Sequence, residues 1–157
     1  MADDRIIEIT LDEASLVSSI PEVEHERAVA IYDLLEENSF DPVGEFSGPY
    51  AIHLAVEDAN RLAFHIKSAT HDPIVKITMG LSPFRRIIRD YFKICESYFD
   101  AIKRLSPSQI ETIDMARRAV HNEGSDILSE RLREKIKMDT LTARRLFTLI
   151  CVLHIKG

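Results

Sequence analysis

Tyr50-Ala51-Ile52-His53-Leu54-Ala55-Val56-Glu57, then Asp58-Ala59-Asn60, then Arg61-Leu62-Ala63-Phe64-His65-Ile66-Lys67: this stretch decides the fold. Tyr50, Ile52, Leu54 and Val56 alternate with Ala51, His53, Ala55 and Glu57. Leu62, Phe64 and Ile66 alternate with Arg61, Ala63, His65 and Lys67. Period-two alternation on both sides of a short polar break predicts a β-hairpin. A slip of one residue would turn every side chain to the opposite face. Only some registers keep the apolar sets on one face, and pairing Ile52 with Ile66, Leu54 with Phe64 and Val56 with Leu62 satisfies this. It also sets Glu57 opposite Arg61 and His53 opposite His65.

Working outward, a further strand is expected from Ile74 to Met79, after the Asp72-Pro73 break. Residues 5–11 (Arg5-Ile6-Ile7-Glu8-Ile9-Thr10-Leu11) alternate and predict another. Between them, Ser19-Ile20-Pro21-Glu22 matches a capping box with Pro in the first turn. The helix it opens should run to about Asn38. Val23, Arg27, Ile31, Leu34 and Leu35 would share one face and glutamates the other. Asp41-Pro42-Val43-Gly44 ends it, and Ser47-Gly48-Pro49 closes the loop.

The remainder reads as helix. Ser82-Pro83 is an N-cap followed by Pro, and Phe84, Ile87, Ile88, Tyr91, Cys95, Tyr98, Phe99 and Ile102 mark an amphipathic helix to about Leu105. Ser106-Pro107-Ser108-Gln109 repeats the cap, with Ile110, Ile113, Ala116 and Val120 lining the next helix. Asn122-Glu123-Gly124-Ser125 predicts a kink or a break, after which helix resumes to about Glu134. Asp139 or Thr140 caps a last helix, apolar nearly all round and therefore central. The order β-α-β-β-β followed by three or four helices is that of an α+β fold, a small antiparallel sheet with a C-terminal helical bundle. At 157 residues the chain suits one domain spanning 1–157.

Charge divides that domain. Residues 1–79 carry 16 acidic and 5 basic side chains, a net −11; residues 80–157 carry 10 and 15, a net +5. Such asymmetry marks a partner surface, or else the two halves pair internally. The acidic start Met1-Ala2-Asp3-Asp4 is unlike a signal peptide, and no apolar run approaches the ~18 residues of a membrane span. A cytoplasmic protein with no membrane association is expected. Cys95 and Cys151 sit in apolar helical runs and read as buried free thiols.

Three constellations carry chemistry. Arg85, Arg86, Arg89 and Lys93 open a helix, with Arg85, Arg89 and Lys93 in one i, i+4, i+8 stripe. Cations at a helix N-terminus oppose its dipole, so they point to an anion or an acidic partner. Arg117-Arg118 and Arg144-Arg145 repeat the motif; Arg144 and Arg145 join the anion-binding set. The second is His121-Asn122-Glu123, side-chain types from which acid–base and phosphoryl-transfer sites are built, although Asn, Gly and Ser here also fit a cap. The third is His53 with His65, facing each other across the hairpin as the start of a metal site. Glu22-x-x-His25 and Cys151-x-x-His154 are lesser pairs. No set supplies three or four closely spaced ligands, so neither metal nor cofactor is expected. There is no nucleophile elbow, P-loop or dinucleotide-binding glycine pattern. That weakens an enzymatic reading without removing it.

Four segments together are specific: Val23 to Asp33, Ser82 to Phe92, Pro107 to Glu111 with His121 to Ser125, and Thr142 to His154. They resemble a family of uncharacterised alphaproteobacterial proteins, over nearly the whole chain. The resemblance implies a bacterial cytoplasmic protein and carries over no activity and no functional residue. On the residues themselves, the leading expectation is a regulatory or interaction module whose basic helical half binds an acidic protein or RNA. The alternative is a small enzyme or nucleotide-binding protein built around His121, Asn122, Glu123 and neighbouring arginines. A homo-oligomer, meeting through a sheet edge or the apolar last helix, is a third possibility.

Overall fold

A computed structural model describes residues 3–12, 21–58 and 60–153, with 21–23 and 98–103 described by backbone alone. Strand β1 (Ile6–Leu11) leads to helix α1 (Pro21–Glu36), a short β2 (Phe40–Pro42), and then β3 (Tyr50–Glu57), β4 (Arg61–Ser68) and β5 (Pro73–Gly80). Helices α2 (Arg85–Arg104) and α3 (Pro107–Leu132), strand β6 (Ile136–Met138) and helix α4 (Thr140–Leu153) complete the chain. The class is α+β, with α2, α3 and α4 following the four-stranded sheet.

The hairpin takes the expected register. Ile52 pairs with Ile66, Leu54 with Phe64, Val56 with Leu62, Glu57 with Arg61 and His53 with His65. The sheet runs β1-β3-β4-β5 and is mixed: β1 pairs with β3 in parallel, whereas β3-β4 and β4-β5 are antiparallel. The expectation of an all-antiparallel sheet is corrected here. A strand that reaches its neighbour through an intervening helix can return in the same direction, which a tight hairpin cannot do. Asn38, just past α1, secures the arrangement. Its side chain accepts a hydrogen bond from Ile6 N (2.7 Å) and donates to Ile6 O (2.9 Å) and Leu34 O (2.8 Å).

A second, two-stranded sheet pairs β2 with β6 in antiparallel fashion. Sequence reading missed both strands, because three residues are too few to show a period. At Gly48 a Cβ would lie 1.7 Å from the Asp3 carbonyl oxygen, so only glycine allows the chain to pass there.

On α1 the buried residues are Glu26, Ala30 and Leu34, with Leu35 exposed, so the expected all-glutamate outer face is wrong at Glu26. The capping box at Ser19 to Glu22 lies outside the described residues. Helix α2 opens through a 3₁₀ turn, Ser82–Phe84, with Leu81 and not Ser82 at the cap position. The Ser82 hydroxyl instead reaches Asn60 Oδ1 (3.5 Å). Phe84, Ile87, Ile88, Tyr91 and Cys95 are buried as expected; Tyr98, Phe99 and Ile102 lie outside the described side chains. At α3 the capping box is complete. The Ser106 side chain accepts from Gln109 N, and the Gln109 side chain accepts from Ser106 N. Asp139 Oδ1 accepts from Thr142 N (2.8 Å) to open α4.

No break occurs at 122–125, and α3 is continuous from Pro107 to Leu132. Gly124 serves packing instead of termination. An added Cβ would fall 2.3 Å from the Phe147 ring of α4. Helix α4 is buried continuously from Leu146 to Leu153. Its side chains join Ile52, Leu54, Phe64, Ile66 and Met79 of the sheet in one hydrophobic cluster.

Gly124→Ala should therefore destabilise the fold despite alanine's advantage of ~1 kcal/mol in a helix interior. Overpacking against Phe147 costs about 1–3 kcal/mol. A lower urea midpoint in Gly124→Ala, partly restored by Phe147→Leu, is the expected result; an unchanged midpoint would contradict the close-packing account.

Candidate functional site

The arginine stripe lies on the outer side of α2, where Arg85, Arg86, Arg89 and Lys93 are all exposed. The first turn of α2 contains no acidic residue to offset them. Arg85 Nη2 donates to Asn60 Oδ1 (2.9 Å), a neutral acceptor in the β3-β4 turn. Arg86 is neutralised locally, by Asp90 (3.0 Å) and by Glu123 of α3. Arg89 and Lys93 have no ion pair among the described residues. Four carboxylates of the acidic half pair within that half. Glu24 pairs with Arg27, Glu57 with Lys76, Asp3 with Arg5 and Glu8 with His71. Among the described residues, a single ion pair crosses from residues 1–79 to residues 80–157: Glu26 with Arg117, 2.7 Å.

That crossing pair belongs to a second region, a groove of about 270 Å³ between α1, α3 and α4. Four arginines line it (Arg117, Arg118, Arg144 and Arg145) against two carboxylates, Glu26 and Asp33. Glu26 is buried; it takes the Arg117 guanidinium on one oxygen, and the Cys95 thiol lies 3.8 Å from the same atom. A buried carboxylate is tolerated only with such a partner. Arg118 pairs with Asp114 (3.4 Å), and Arg145 Nη1 donates to the Glu37 carbonyl just past the end of α1 (3.2 Å).

Because α3 is continuous, successive residues point about 100° apart around it. His121 and Ser125 turn inward, whereas Asn122 and Glu123 turn to solvent. The three members of the predicted His121-Asn122-Glu123 site are therefore splayed, and only His121 reaches the groove. It stacks edge-on to Tyr91 (ring centroids 5.3 Å) and Phe147 (6.1 Å), and its Nδ1 lies 3.3 Å from Thr148 Oγ1. Nε2 is buried and makes no hydrogen bond. Burial, then the nearby Arg117 and Arg144 charges, lower its pKa to about 4, so the ring is neutral at pH 7. Sequence reading found Arg144, Arg145 and His121 but missed Glu26 and Thr148. Nothing in a run of glutamates marks the one that is buried.

At the hairpin, His53 and His65 do face each other, with ring centroids 5.9 Å apart. Each has other company. His53 Nδ1 is 2.7 Å from Thr10 Oγ1, while the nearest carboxylate to His65, Glu57, holds Lys76 at 2.9 Å. Burial and the Lys76 charge both lower the His65 pKa. No three His, Cys, Asp or Glu side chains converge on a metal position among the described residues. His154 lies outside them. No helix among the described residues is long and apolar enough to cross a membrane.

A family model described as "Uncharacterised protein family (UPF0262)" matches residues 3–156. A UPF0262 protein of Paramagnetospirillum magneticum is 57% identical over 153 residues, covering 98% of this chain and 97% of that protein. One from Agrobacterium fabrum is 54% identical over 155 residues (99% and 98% covered), and one from Rhodospirillum rubrum 55% over 154 (98% and 94%). No solved structure matches the chain.

The depressed His121 pKa has a stability consequence. Unfolded, the ring takes its proton below about pH 6.5; folded, only below about 4. The stabilisation is complete above pH 6.5 and declines as pH falls toward 4, by up to about 3 kcal/mol. The groups bearing on the ring are Arg117 of α3, Tyr91 of α2, and Arg144 and Thr148 of α4. Urea unfolding at pH 7 and pH 4.5 should show a smaller acid-induced loss in His121→Gln than in the parent. Equal losses would mean that the ring does not titrate in this way.

Proposed function

We propose, for a chain that belongs to the UPF0262 family, a family of unknown function, that it is a cytoplasmic single-domain interaction module whose basic helical half binds an acidic segment of a partner protein. The contact surface is the α2 stripe of Arg85, Arg89 and Lys93, with Arg86 held beside it by Asp90 and Glu123. One observation carries the reading. Among the described residues the positive charge of the helical half is not consumed by the acidic half, because a single ion pair links the two. Internal pairing was the competing explanation for the charge split, and it accounts for little of it.

Energetics support a partner. Arg85, in the first turn of α2, opposes the helix dipole at a cost of a few tenths of a kcal/mol. Exposed and without an ion pair among the described residues, Arg85, Arg89 and Lys93 gain from an incoming carboxylate, which guanidinium binds in bidentate geometry. Such a surface acts mainly on association rate and selectivity. An acidic protein is preferred over RNA because the whole chain carries a net charge of −6, which opposes a long polyanion.

The test is capture of partners from a native host, identifying both protein and RNA. It compares the parent with Arg85→Glu/Arg89→Glu and with a charge-matched control, Arg131→Glu/Arg133→Glu. The expected outcome is loss of an acidic protein partner in the α2 variant alone, with the parent interaction weakening as salt rises. Partners retained in the α2 variant, or lost equally in the control, would reject this surface; RNA recovered in place of protein would reject the assignment of the partner.

A further inference from the structure

Helix α1 carries an apolar and acidic ridge directly beside the arginine-lined groove, and ridge and groove have opposite character. Val29, Tyr32, Asp33 and Glu36 stand at i, i+3, i+4 and i+7, so they share one face of the helix. Val29 is 41% and Tyr32 66% exposed, and no large hydrophobic side chain among the described residues is more exposed than Tyr32. Leu141, in the first turn of α4 and 46% exposed, lines the same groove as Val29. Single apolar residues in water are ordinary, but three gathered at one rim point to a contact surface. Helix α4, expected from its sequence to meet a partner, is enclosed from Leu146 onward, so its exposed side chains are confined to residues 140–145.

Charge of both signs is unspent on this surface. Asp33 and Glu36 make no ion pair with a described residue, and neither does Arg144, which is half-buried in the groove. Arg145 spends one guanidinium nitrogen on the Glu37 carbonyl (3.2 Å), and its other donors are uncommitted. Arg117 and Arg118 already hold Glu26 and Asp114. A guanidinium partly withdrawn from water gains from a counter-ion. Within one molecule the α1 carboxylates do not supply it.

We propose that the occupant of this surface is a second copy of the chain, in a symmetric dimer in which the α1 ridge of each copy packs on the groove of the other. Val29 and Tyr32 of each copy cover the apolar rim of the other, and Asp33 and Glu36 of each lie against Arg144 and Arg145 of the other. A two-fold axis lays one surface onto itself, so every contact occurs twice. This surface suits such an axis because it carries both signs. A purely acidic partner would be repelled by Asp33 and Glu36, and a purely basic one by Arg144 and Arg145, whereas a rotated copy sets opposite charges together. A helix ridge that enters a neighbour's groove through side chains at i, i+3, i+4 and i+7 is a recurrent mode of recognition. The surface belongs to α1, α3 and α4 and excludes the α2 stripe, so the dimer and the acidic partner of α2 are tested independently.

Sedimentation velocity of the full chain over about 1–200 μM provides the test, since a dimer of this kind dissociates on dilution. The parent should pass from one chain per particle to two. Tyr32→Ser, at an exposed position outside the core, should weaken dimerisation about tenfold or more. Arg144→Glu/Arg145→Glu and Asp33→Lys/Glu36→Lys should each sediment as a monomer, because like charges then meet across the axis. Mixed in equal amounts, these two should form a heterodimer, in which opposite charges meet again at every contact. Arg85→Glu/Arg89→Glu should dimerise like the parent. A parent that stays monomeric throughout overturns the proposal and leaves the surface to a different protein. A dimer unchanged in Tyr32→Ser and in either charge variant overturns it as well, as does a mixture that remains two monomers. Should Arg144→Glu/Arg145→Glu fail to fold, Tyr32→Ser and Asp33→Lys/Glu36→Lys, both on the exposed face of α1, still decide the matter.

Discussion

Helix α4 has no solvent face along most of its length, and the rest of the molecule is arranged so that it need not have one. Residues Leu146 to Leu153 are buried without interruption. A helix of that kind must be enclosed by other elements. Here α1 and α3 flank it and the apolar face of the sheet joins the same cluster. The enclosure is tight at one point above all. Phe147 occupies the space that a side chain at position 124 would need, so α3 approaches α4 at the one glycine within it. The ring contacts among Tyr91, His121 and Phe147 follow from that approach. So does the burial of His121, and with it the polar floor of the groove.

The parts legible from the sequence were those governed by short periods and by caps. Strands β3 and β4 alternate over most of their length, and the observed register is one of the few that keep Ile52, Leu54 and Val56 on the side of Ile66, Phe64 and Leu62. Ser106 and Gln109 make a cap that needs nothing beyond its own four residues. What escaped were features decided by distant partners. Gly124 has the same local appearance whether it ends a helix or admits Phe147 to it. Strands β2 and β6 are short and lie far apart in the chain, and neither has a pattern of its own. The parallel direction of β1 depends on the path of α1, which alternation cannot reveal.

The candidate sites divide along the same line. The α2 arginines were visible because their spacing is local, and the structure leaves them exposed. The pairing of His53 with His65 was also visible, but their competing contacts with Thr10 and Glu57 were not. The groove combines residues from three helices, and only some of them announce themselves. Arg144, Arg145 and His121 stand out by type, whereas Glu26 and Thr148 acquire their roles only from burial.

Burial also governs the two thiols. Cys95 lies 3.8 Å from Glu26, and burial with that neighbouring carboxylate pushes its pKa up to about 12; Cys151 is wholly enclosed within α4's packing and is raised as well. Only a thiolate attacks an alkylating or oxidising reagent at an appreciable rate. In the closed protein neither sulfur is in that form at neutral pH. Reaction at either one must await separation of the helices, so the rate at which a thiol reagent consumes them is a clock for how often the helical layer opens. The chain carries its own label for that motion, one sulfur on α2 and one on α4.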